Sequence, residues 1–202
     1  MIQGEYENCM TLGEQAIGLF KVLKDDKGIA DVKYNIAGVH YKTDNFHLGL
    51  IYLIDSLEIY QQLDDFHNIA RVQNSLGTIY EYFGDEKSAM LAYQKAIEAA
   101  QKVEDLNLES NAYNPLSGIY LTQNNIEKAT DLIERSVEMK KKTGDIRGLA
   151  FALYGRAKVF VKLGEYAKAE EAFKESITIH EDMGERLGKG MCYNKLGELY
   201  LI

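Results

Sequence analysis

The chain contains few of the residues that cross-link a polypeptide or interrupt a helix. Its 202 residues include one proline, two cysteines and no tryptophan. Because Cys9 and Cys192 lie near opposite ends of the chain, the sequence excludes a local disulfide framework and a clustered thiolate metal site. A single proline among many alanine, leucine, glutamate and lysine residues favours long helices over many short strands.

Long hydrophobic runs are also missing. No stretch approaches the roughly eighteen consecutive apolar residues of a membrane-spanning helix. The N-terminal segment MIQGEYENCM lacks the basic flank and the apolar run of a signal peptide. We therefore expect a cytoplasmic protein with no membrane partner.

Positive charge is in short supply. The chain carries 31 acidic and 23 basic residues, for a net charge of −8. A protein of net negative charge repels phosphate backbones unless its basic residues gather on one face. Nucleic acid is therefore not an expected partner, and the 46% of apolar residues indicates a substantial core.

What the chain does contain is a repeat of forty residues. Two columns of small residues recur at this interval, seven positions apart and therefore on one helical face. The first column is Cys9, Gly49, Ala89, Ala129 and Ala169, and the second is Ala16, Ser56, Ala96, Ser136 and Ser176. Small residues allow two helices to approach closely, so these columns predict packed helix pairs.

An aromatic column runs in step with the small ones. It consists of Tyr41, Tyr80, Tyr120, Phe160 and Tyr200, with spacings of 39, 40, 40 and 40. The single slip is attributed to the turn KTDNF, which is one residue shorter than the matching EYFGDE. We expect these rings to occupy equivalent packed positions between the two helices of each repeat.

Turn residues separate the helices at regular points. Residues able to adopt a left-handed conformation close one helix of each pair, at Gly4, Asp44, Gly84, Asn124 and Gly164. Acidic residues precede the other helix, at Asp25, Asp65, Asp105, Asp145 and Glu185. The pattern predicts ten helices, at about residues 5–24, 29–43, 46–63, 69–83, 86–103, 109–123, 126–143, 147–163, 166–183 and 189–202. Pro115 should kink the sixth helix or delay its start.

The segments NIAGVHY, NSLGTIY, NPLSGIY and NKLGELY, together with GEYAKAEEAFKESI and GDEKSAMLAYQKAI, resemble the tetratricopeptide repeat family in its forty-residue form. The resemblance implies an all-α fold, a right-handed α-α superhelix, or solenoid, of helical hairpins. Its first helices would line a concave groove that binds a peptide or another protein. The expected division is a single solenoid over 1–202, with partial repeats at 1–28 and 189–202 and full repeats at 29–68, 69–108, 109–148 and 149–188.

Asparagines mark the first helices of this expected groove. Asn35, Asn74, Asn114 and Asn194 each lie six residues before the aromatic position, and Tyr154 replaces the fourth asparagine. In the family this position faces the groove, where a carboxamide can both donate to and accept from a peptide backbone. The alternative is that these asparagines bond to neighbouring first helices and to water.

The resemblance assigns further side chains to the groove. They are Lys42, Arg71, Thr78, Tyr82, Asn111, Lys158 and Lys162. Four basic residues among the groove positions, against the acidic Glu81 and Glu198, favour an acidic peptide or a C-terminal carboxylate as partner. The lysines could instead only solvate an unused surface.

Enzymatic chemistry finds little support in the sequence. His40, His47, His67 and His180 show no i, i+4 pairing of a helical zinc site, and His40 falls in an apolar column where a packed ring is expected. The segment GERLGKG has glycines too close together for a phosphate-binding loop. We expect no catalytic residue, no metal and no cofactor.

Two functions remain open. The chain is either a protein-interaction scaffold or a regulatory sensor and dimerisation segment of a larger bacterial signalling protein such as a cyclase, kinase or transcription regulator. Its two ends fall at nearly the same phase of the repeat, so we expect a fragment of a longer protein. The final helix of one copy could also stack on the opening helix of another, giving end-to-end self-association.

Overall fold

A computed structural model describes residues 2–201, with side chains from Tyr6 onward. Over this range the backbone forms ten α-helices and no strand. In chain order they are α1 (Ile2–Leu23), α2 (Asp26–Lys42), α3 (Phe46–Gln62), α4 (Phe66–Tyr82), α5 (Glu86–Lys102), α6 (Leu106–Thr122), α7 (Ile126–Thr143), α8 (Ile146–Leu163), α9 (Tyr166–Asp182) and α10 (Arg186–Leu199). The predicted all-α fold is confirmed. None of the helices within residues 2–201 is both long and apolar enough to cross a membrane.

The first helices begin three residues earlier than the sequence pattern suggested. Asp25, Asp65 and Asp145 each accept a hydrogen bond from the backbone amide three residues later, so each aspartate is the N-cap and the helix begins directly after it. Asp105 accepts from two amides in the same way. Glu185 makes no such bond, because its side chain is engaged elsewhere.

The helix-closing residues take the predicted left-handed conformation. Gly84 and Gly164 have φ near +73°, and Asp44 and Asn124 have φ of 59°. Gly4 does not close a helix, because α1 runs through it from Ile2. Pro115 does not delay α6 either, since that helix begins at Leu106 and continues past the proline to Thr122.

The forty-residue period holds without a slip. Helices α2, α4, α6, α8 and α10 begin at 26, 66, 106, 146 and 186, and the turns after α2 and α4 have equal length. The turn amides of Asn45 and Asp85 both bond to the carbonyl five residues earlier, at His40 and Tyr80. His40 is therefore the structural equivalent of Tyr80, and the assignment of Tyr41 to the aromatic column is wrong.

The aromatic column also lies farther from the core than expected. Tyr41 and Tyr200 are 45% and 62% exposed, and Tyr80, Tyr120 and Phe160 are only half-buried. The fully packed position is one residue earlier, where Ile79, Ile119, Val159 and Leu199 lie. The rings shield the ends of the hairpins and do not form the centre of the core.

The helices group into two compact units, residues 1–103 and 104–202. In unit 1, α2 packs on α3 and α4 on α5, and α1 packs on α2. In unit 2, α6 packs on α7 and α8 on α9, and α10 packs on α9 and α8.

Both columns of small residues are buried in these hairpins, as predicted. Ala89, Ala96, Ala129 and Ala169 have no exposed surface. The hydroxyl of Ser176 donates to the carbonyl of Ala150 at 2.8 Å, and that of Ser117 to the carbonyl of Ala129 at 2.7 Å. Direct bonds from a side chain of one helix to the backbone of its neighbour require the close approach that small residues allow.

Candidate functional site

Unit 1 contains an open cavity of about 690 Å³. Helices α2 and α4 provide most of its wall, with contributions from α1 and α3. The lining residues are Tyr6, Cys9, Tyr34, Asn35, Ala37, Gly38, Val39, Tyr41, Lys42, Leu53, Asn74, Ser75, Thr78 and Ile79. Four of the twelve predicted binding residues, Asn35, Lys42, Asn74 and Thr78, thus lie around one cavity.

The cavity exists because its wall residues are small. Gly38 faces open space, with nothing within 4 Å of where a Cβ would be. Below it, Ala37, Leu53 and Ile79 form a buried apolar floor. A volume of this size is in the range of about 300–1,000 Å³ typical of ligand pockets. An apolar floor with a polar rim suits a ligand that carries both kinds of group.

Asn74 is the unusual polar residue of this wall. Its side-chain oxygen Oδ1 is buried and has no hydrogen-bond partner among the described residues. The hydroxyl of Thr78 donates to the backbone carbonyl of Asn74 at 3.2 Å, which leaves the carboxamide oxygen unsatisfied. A buried acceptor without a donor is unfavourable by about 1–3 kcal/mol, so a donor from a ligand would be stabilising here.

The asparagine column begins with a tyrosine in the structure. Because the period is forty throughout, the equivalent of Asn74 and Asn114 is Tyr34, and Asn35 is equivalent to Ser75. The hydroxyls of Tyr34 and Ser75 lie 3.3 Å apart and join the two helices. Asn35 is exposed on the rim of the same cavity, so its place in the column was wrong although its place at the site was not.

Arg71 lines a smaller recess beside the cavity. This recess of about 370 Å³ also involves Tyr34 and Asn35. The Arg71 guanidinium lies 4.6 Å from the centre of the Tyr34 ring and donates to the side-chain oxygen of Asn68 at 2.9 Å. Nearby, Lys27 forms an ion pair with Asp65 at 2.6 Å. The recess keeps a positive charge in a fixed orientation.

Tyr82 belongs to an aromatic cluster that the sequence reasoning missed. Its ring stacks on that of Phe46 with centroids 3.7 Å apart, and Tyr41 meets Phe46 edge-on at 5.4 Å. His47 and Phe83 pack together at 4.8 Å. The signal in the sequence was the pair of adjacent aromatics at the end of α4, next to the first residues of α3 in the fold.

In unit 2, two of the predicted residues bond within the protein. Asn111 accepts a hydrogen bond from the buried ammonium of Lys140 at 2.5 Å. The side-chain amide of Asn114 donates to the backbone carbonyl of Phe151 in α8 at 3.4 Å. For Asn114 the structure favours the alternative in which the asparagine joins neighbouring first helices.

The other predicted residues of unit 2 follow α8 and α10. Tyr154 is half-buried against Phe173, and this burial raises the pKa of the Tyr154 hydroxyl. The ammonium of Lys158 lies 5.8 Å from the centre of the Tyr154 ring. Lys162 is exposed, and the Asn194 amide donates to Glu198 at 3.2 Å. Nothing in unit 2 combines these groups with a buried unsatisfied acceptor such as that of Asn74 in the described part of the wall.

His40 is packed, as predicted. Its buried ring stacks on Tyr52 with centroids 5.5 Å apart, and burial lowers the pKa of its imidazole. Among residues 2–201, no group of three or more His, Cys, Asp or Glu side chains is arranged to hold a metal ion.

Comparison with known families identifies the repeat. The family model described as tetratricopeptide repeat matches residues 28–102 and 108–182, which is most of the chain. No curated protein sequence matches it.

Solved structures share the fold at low sequence identity. BtubC (BKLC) from P. vanneervenii is 18% identical with a TM-score of 0.78, over 90% of this chain and 76% of that one. Aspartyl phosphate phosphatase F from Bacillus subtilis is 16% identical with a TM-score of 0.78, over 95% and 51%. A Rap protein complexed with Competence and Sporulation Factor is 18% identical with a TM-score of 0.69, over 87% and 52%.

Proposed function

Because the chain belongs to the tetratricopeptide repeat family, we propose that it is a protein-interaction scaffold whose unit 1 binds a peptide segment in the cavity lined by α1 to α4. The single observation that carries this proposal is the unsatisfied Oδ1 of Asn74 in the wall of a cavity of ligand size. A similar solved structure holds Competence and Sporulation Factor, which supports partner binding by a fold of this kind.

The cavity favours a peptide with an apolar side chain near a carboxylate. The floor of Ala37, Leu53 and Ile79 would take the apolar side chain. Asn74 would accept a hydrogen bond from a peptide N–H, and Lys42 on the rim would pair with an acidic side chain or a C-terminal carboxylate. The Arg71 charge in the adjoining recess adds to this preference for an anionic partner.

The apolar anchor would supply more binding energy than the polar contacts. Burial of a leucine-sized side chain contributes about 1.5–3 kcal/mol, against about 0.5–1.5 kcal/mol net for one hydrogen bond. The asparagine and the lysine would therefore mainly fix the position and direction of the peptide. We expect moderate affinity and a preference for sequence at one anchor residue.

Two glycines at the same position of the repeat test this proposal. Gly38 lines the cavity and Gly118, eighty residues later, does not, and at neither position would an added Cβ have a neighbour within 4 Å. Random peptides are selected on the wild-type chain from a displayed library, and their dissociation constants are measured by fluorescence polarisation. Gly38→Phe should weaken binding at least tenfold because its ring occupies the cavity, whereas Gly118→Phe should leave binding within about twofold.

The outcome separates the cavity from other surfaces. Selected peptides that bind wild type, Gly38→Phe and Gly118→Phe equally would place recognition away from the cavity and overturn the proposal. Circular dichroism of both variants supplies the folding control, since replacing glycine inside a helix should not reduce helicity.

A second candidate is a sensor segment within a longer signalling protein. The observation in its favour is that the chain spans about half of the phosphatase and Rap structures that it resembles. In that case peptide binding in unit 1 would regulate an attached domain. The gene that encodes the chain distinguishes the two, because an adjoining enzyme or DNA-binding domain is expected only for the sensor.

A further inference from the structure

Beyond peptide binding, we propose that the 202-residue chain associates head to tail, with α10 of one copy packing on α1 of a second copy. This inference does not depend on the cavity of unit 1. It follows from an interface that recurs inside the chain and whose two halves are left uncovered on α1 and α10.

The internal interface joins each first helix to the second helix that follows it, at constant residue spacings. At a spacing of twelve, Ser117 donates to the carbonyl of Ala129. At a spacing of twenty-six, Ser136 donates to the carbonyl of Ser110 and Ser176 to that of Ala150. The contact is therefore the same in successive repeats.

A third spacing, of twenty-nine residues, pairs the middle of each first helix with the end of the second. In one repeat the hydroxyl of Tyr60 donates to Asp31 at 2.6 Å. In another the ammonium of Lys140 donates to Asn111 at 2.5 Å. The residues at this spacing are polar in both repeats, and each is matched by a polar partner.

Helix α10 has the phase of a first helix and α1 the phase of a second helix. Helix α10 begins forty residues after α8, and α1 carries Cys9 and Ala16 at the two small positions of the second helices. In α10 the small positions are Gly190 and Gly197, which are exposed, whereas their equivalents Ala150 and Ala157 in α8 are fully buried. The face of α10 that a second helix would cover is open.

The matching face of α1 is open and apolar. Leu12 and Leu19 are 64% and 67% exposed. Their equivalents in α5, Ala92 and Ala99, are only 3% and 5% exposed. Two leucines therefore stand in solvent at positions that the fold elsewhere buries, so covering them is favourable in proportion to the apolar area removed from water.

The recurring spacings predict which residues would meet across two copies. They place Gly197 beside Cys9 and Gly190 beside Ala16, so small residues again face small residues. They also pair Met191 with Phe20, an apolar match at the spacing where the internal pairs are polar. A first helix of this chain thus fits α1 better when that helix is α10, and a second copy is the partner that supplies it.

Such a contact uses different surfaces on the two copies. It is heterologous, so it extends into longer assemblies unless it closes into a ring. A cysteine cross-link tests the predicted register. The natural Cys9 is exposed and Cys192 is fully buried, so Gly197→Cys adds one accessible partner for Cys9. The close backbone approach at this spacing suits the short Cα separation of a disulfide.

Oxidised Gly197→Cys protein at high concentration should give dimers and higher multimers on non-reducing electrophoresis. Adding Cys9→Ala should abolish them, and Thr178→Cys, a control on the exposed surface of α9, should give at most trace dimer. A product that stays monomeric, a disulfide within one chain, or an equal ladder from Thr178→Cys would overturn the proposal.

A second measurement needs no engineered cysteine. Sedimentation equilibrium of the reduced wild-type chain should show a mass that rises with concentration. Leu12→Glu should raise the dissociation constant at least tenfold, while Ile51→Glu should not change it, because Ile51 is an exposed apolar residue outside the predicted contact. A wild-type chain that remains monomeric at millimolar concentration, or equal effects of the two substitutions, would contradict the inference.

Discussion

The buried ammonium of Lys140 donates a hydrogen bond to the carboxylate of Asp145 at 2.6 Å, and the same carboxylate caps α8 by accepting from the amide of Gly148. Burial by itself raises the pKa of Asp145, but the bonds from Lys140 and Gly148 outweigh it and hold the pKa below its usual value. One aspartate thus ends a helix turn and neutralises a buried charge.

Removing this carboxylate should be unusually destabilising. Asp145→Ala leaves the Lys140 ammonium buried without its countercharge, and we expect a loss of about 3 kcal/mol in the free energy of unfolding, measured by urea denaturation. Asp85→Ala is the matched control, because Asp85 caps α5 through Ser88 but faces solvent. Equal losses for the two variants would show that capping alone explains the effect.

His40 should make the stability pH-dependent near neutrality. Burial lowers the pKa of His40 in the folded state below the value of about 6.5 that it has when unfolded. Its contribution to stability is therefore complete above about pH 6.5 and is lost as the pH falls below that value, since the unfolded chain binds the proton more readily.

The variant that isolates this effect is His40→Phe, because Phe160 occupies the equivalent position and can stack as His40 does on Tyr52. Unfolding free energies measured from about pH 7.5 to about pH 5 should fall less steeply for the variant than for wild type. Identical slopes would assign the pH dependence to other groups.

Gly77 should tolerate no side chain, although it lies inside a helix. A Cβ there would be 2.5 Å from the Tyr93 ring, so Gly77→Ala must displace a buried aromatic and should lose about 1–3 kcal/mol of stability. Gly38→Ala, at an open position of α2, should instead gain up to about 1 kcal/mol from helix propensity. Melting temperatures that change in the same direction would refute the packing argument.

Asn74 and Asn114 should respond differently to the same substitution. Asn114→Ala loses the bond to the Phe151 carbonyl and should lower the unfolding free energy by about 1 kcal/mol. Asn74→Ala removes an unsatisfied buried oxygen, so it should leave stability nearly unchanged and weaken binding of the selected peptides several-fold. Calorimetry and fluorescence polarisation on both variants check this, and the reverse order of effects would count against the proposed site.

Much of the fold could be predicted because small residues leave a strong periodic trace. The burial of Ser56, Ala96, Ser136 and Ser176 followed from their spacing, since only small side chains fit where two helix backbones nearly touch. The helix ends followed from the acidic N-caps and the left-handed closing residues. These features depend on local geometry, which the sequence expresses directly.

The candidate site was predicted less well, because matching residue types misled the register by one position. Pairing Asn35 with Asn74 and Tyr41 with Tyr80 joined like with like, whereas the backbone pairs Tyr34 with Asn74 and His40 with Tyr80. In a helix of 3.6 residues per turn, one position rotates a side chain by about 100°. That rotation separates the exposed Tyr41 from the buried His40.

The sequence by itself determined the helices, their pairing and their forty-residue period, since each depends on residue size and turn chemistry within a few tens of positions. Only the tertiary structure decided which polar groups are satisfied. It bound Asn111 to Lys140 and Asn114 to Phe151, and it left the oxygen of Asn74 without a partner beside a cavity. The physical reason is that a hydrogen bond needs a partner within about 3 Å, and that distance is set by the packing of helices remote in sequence.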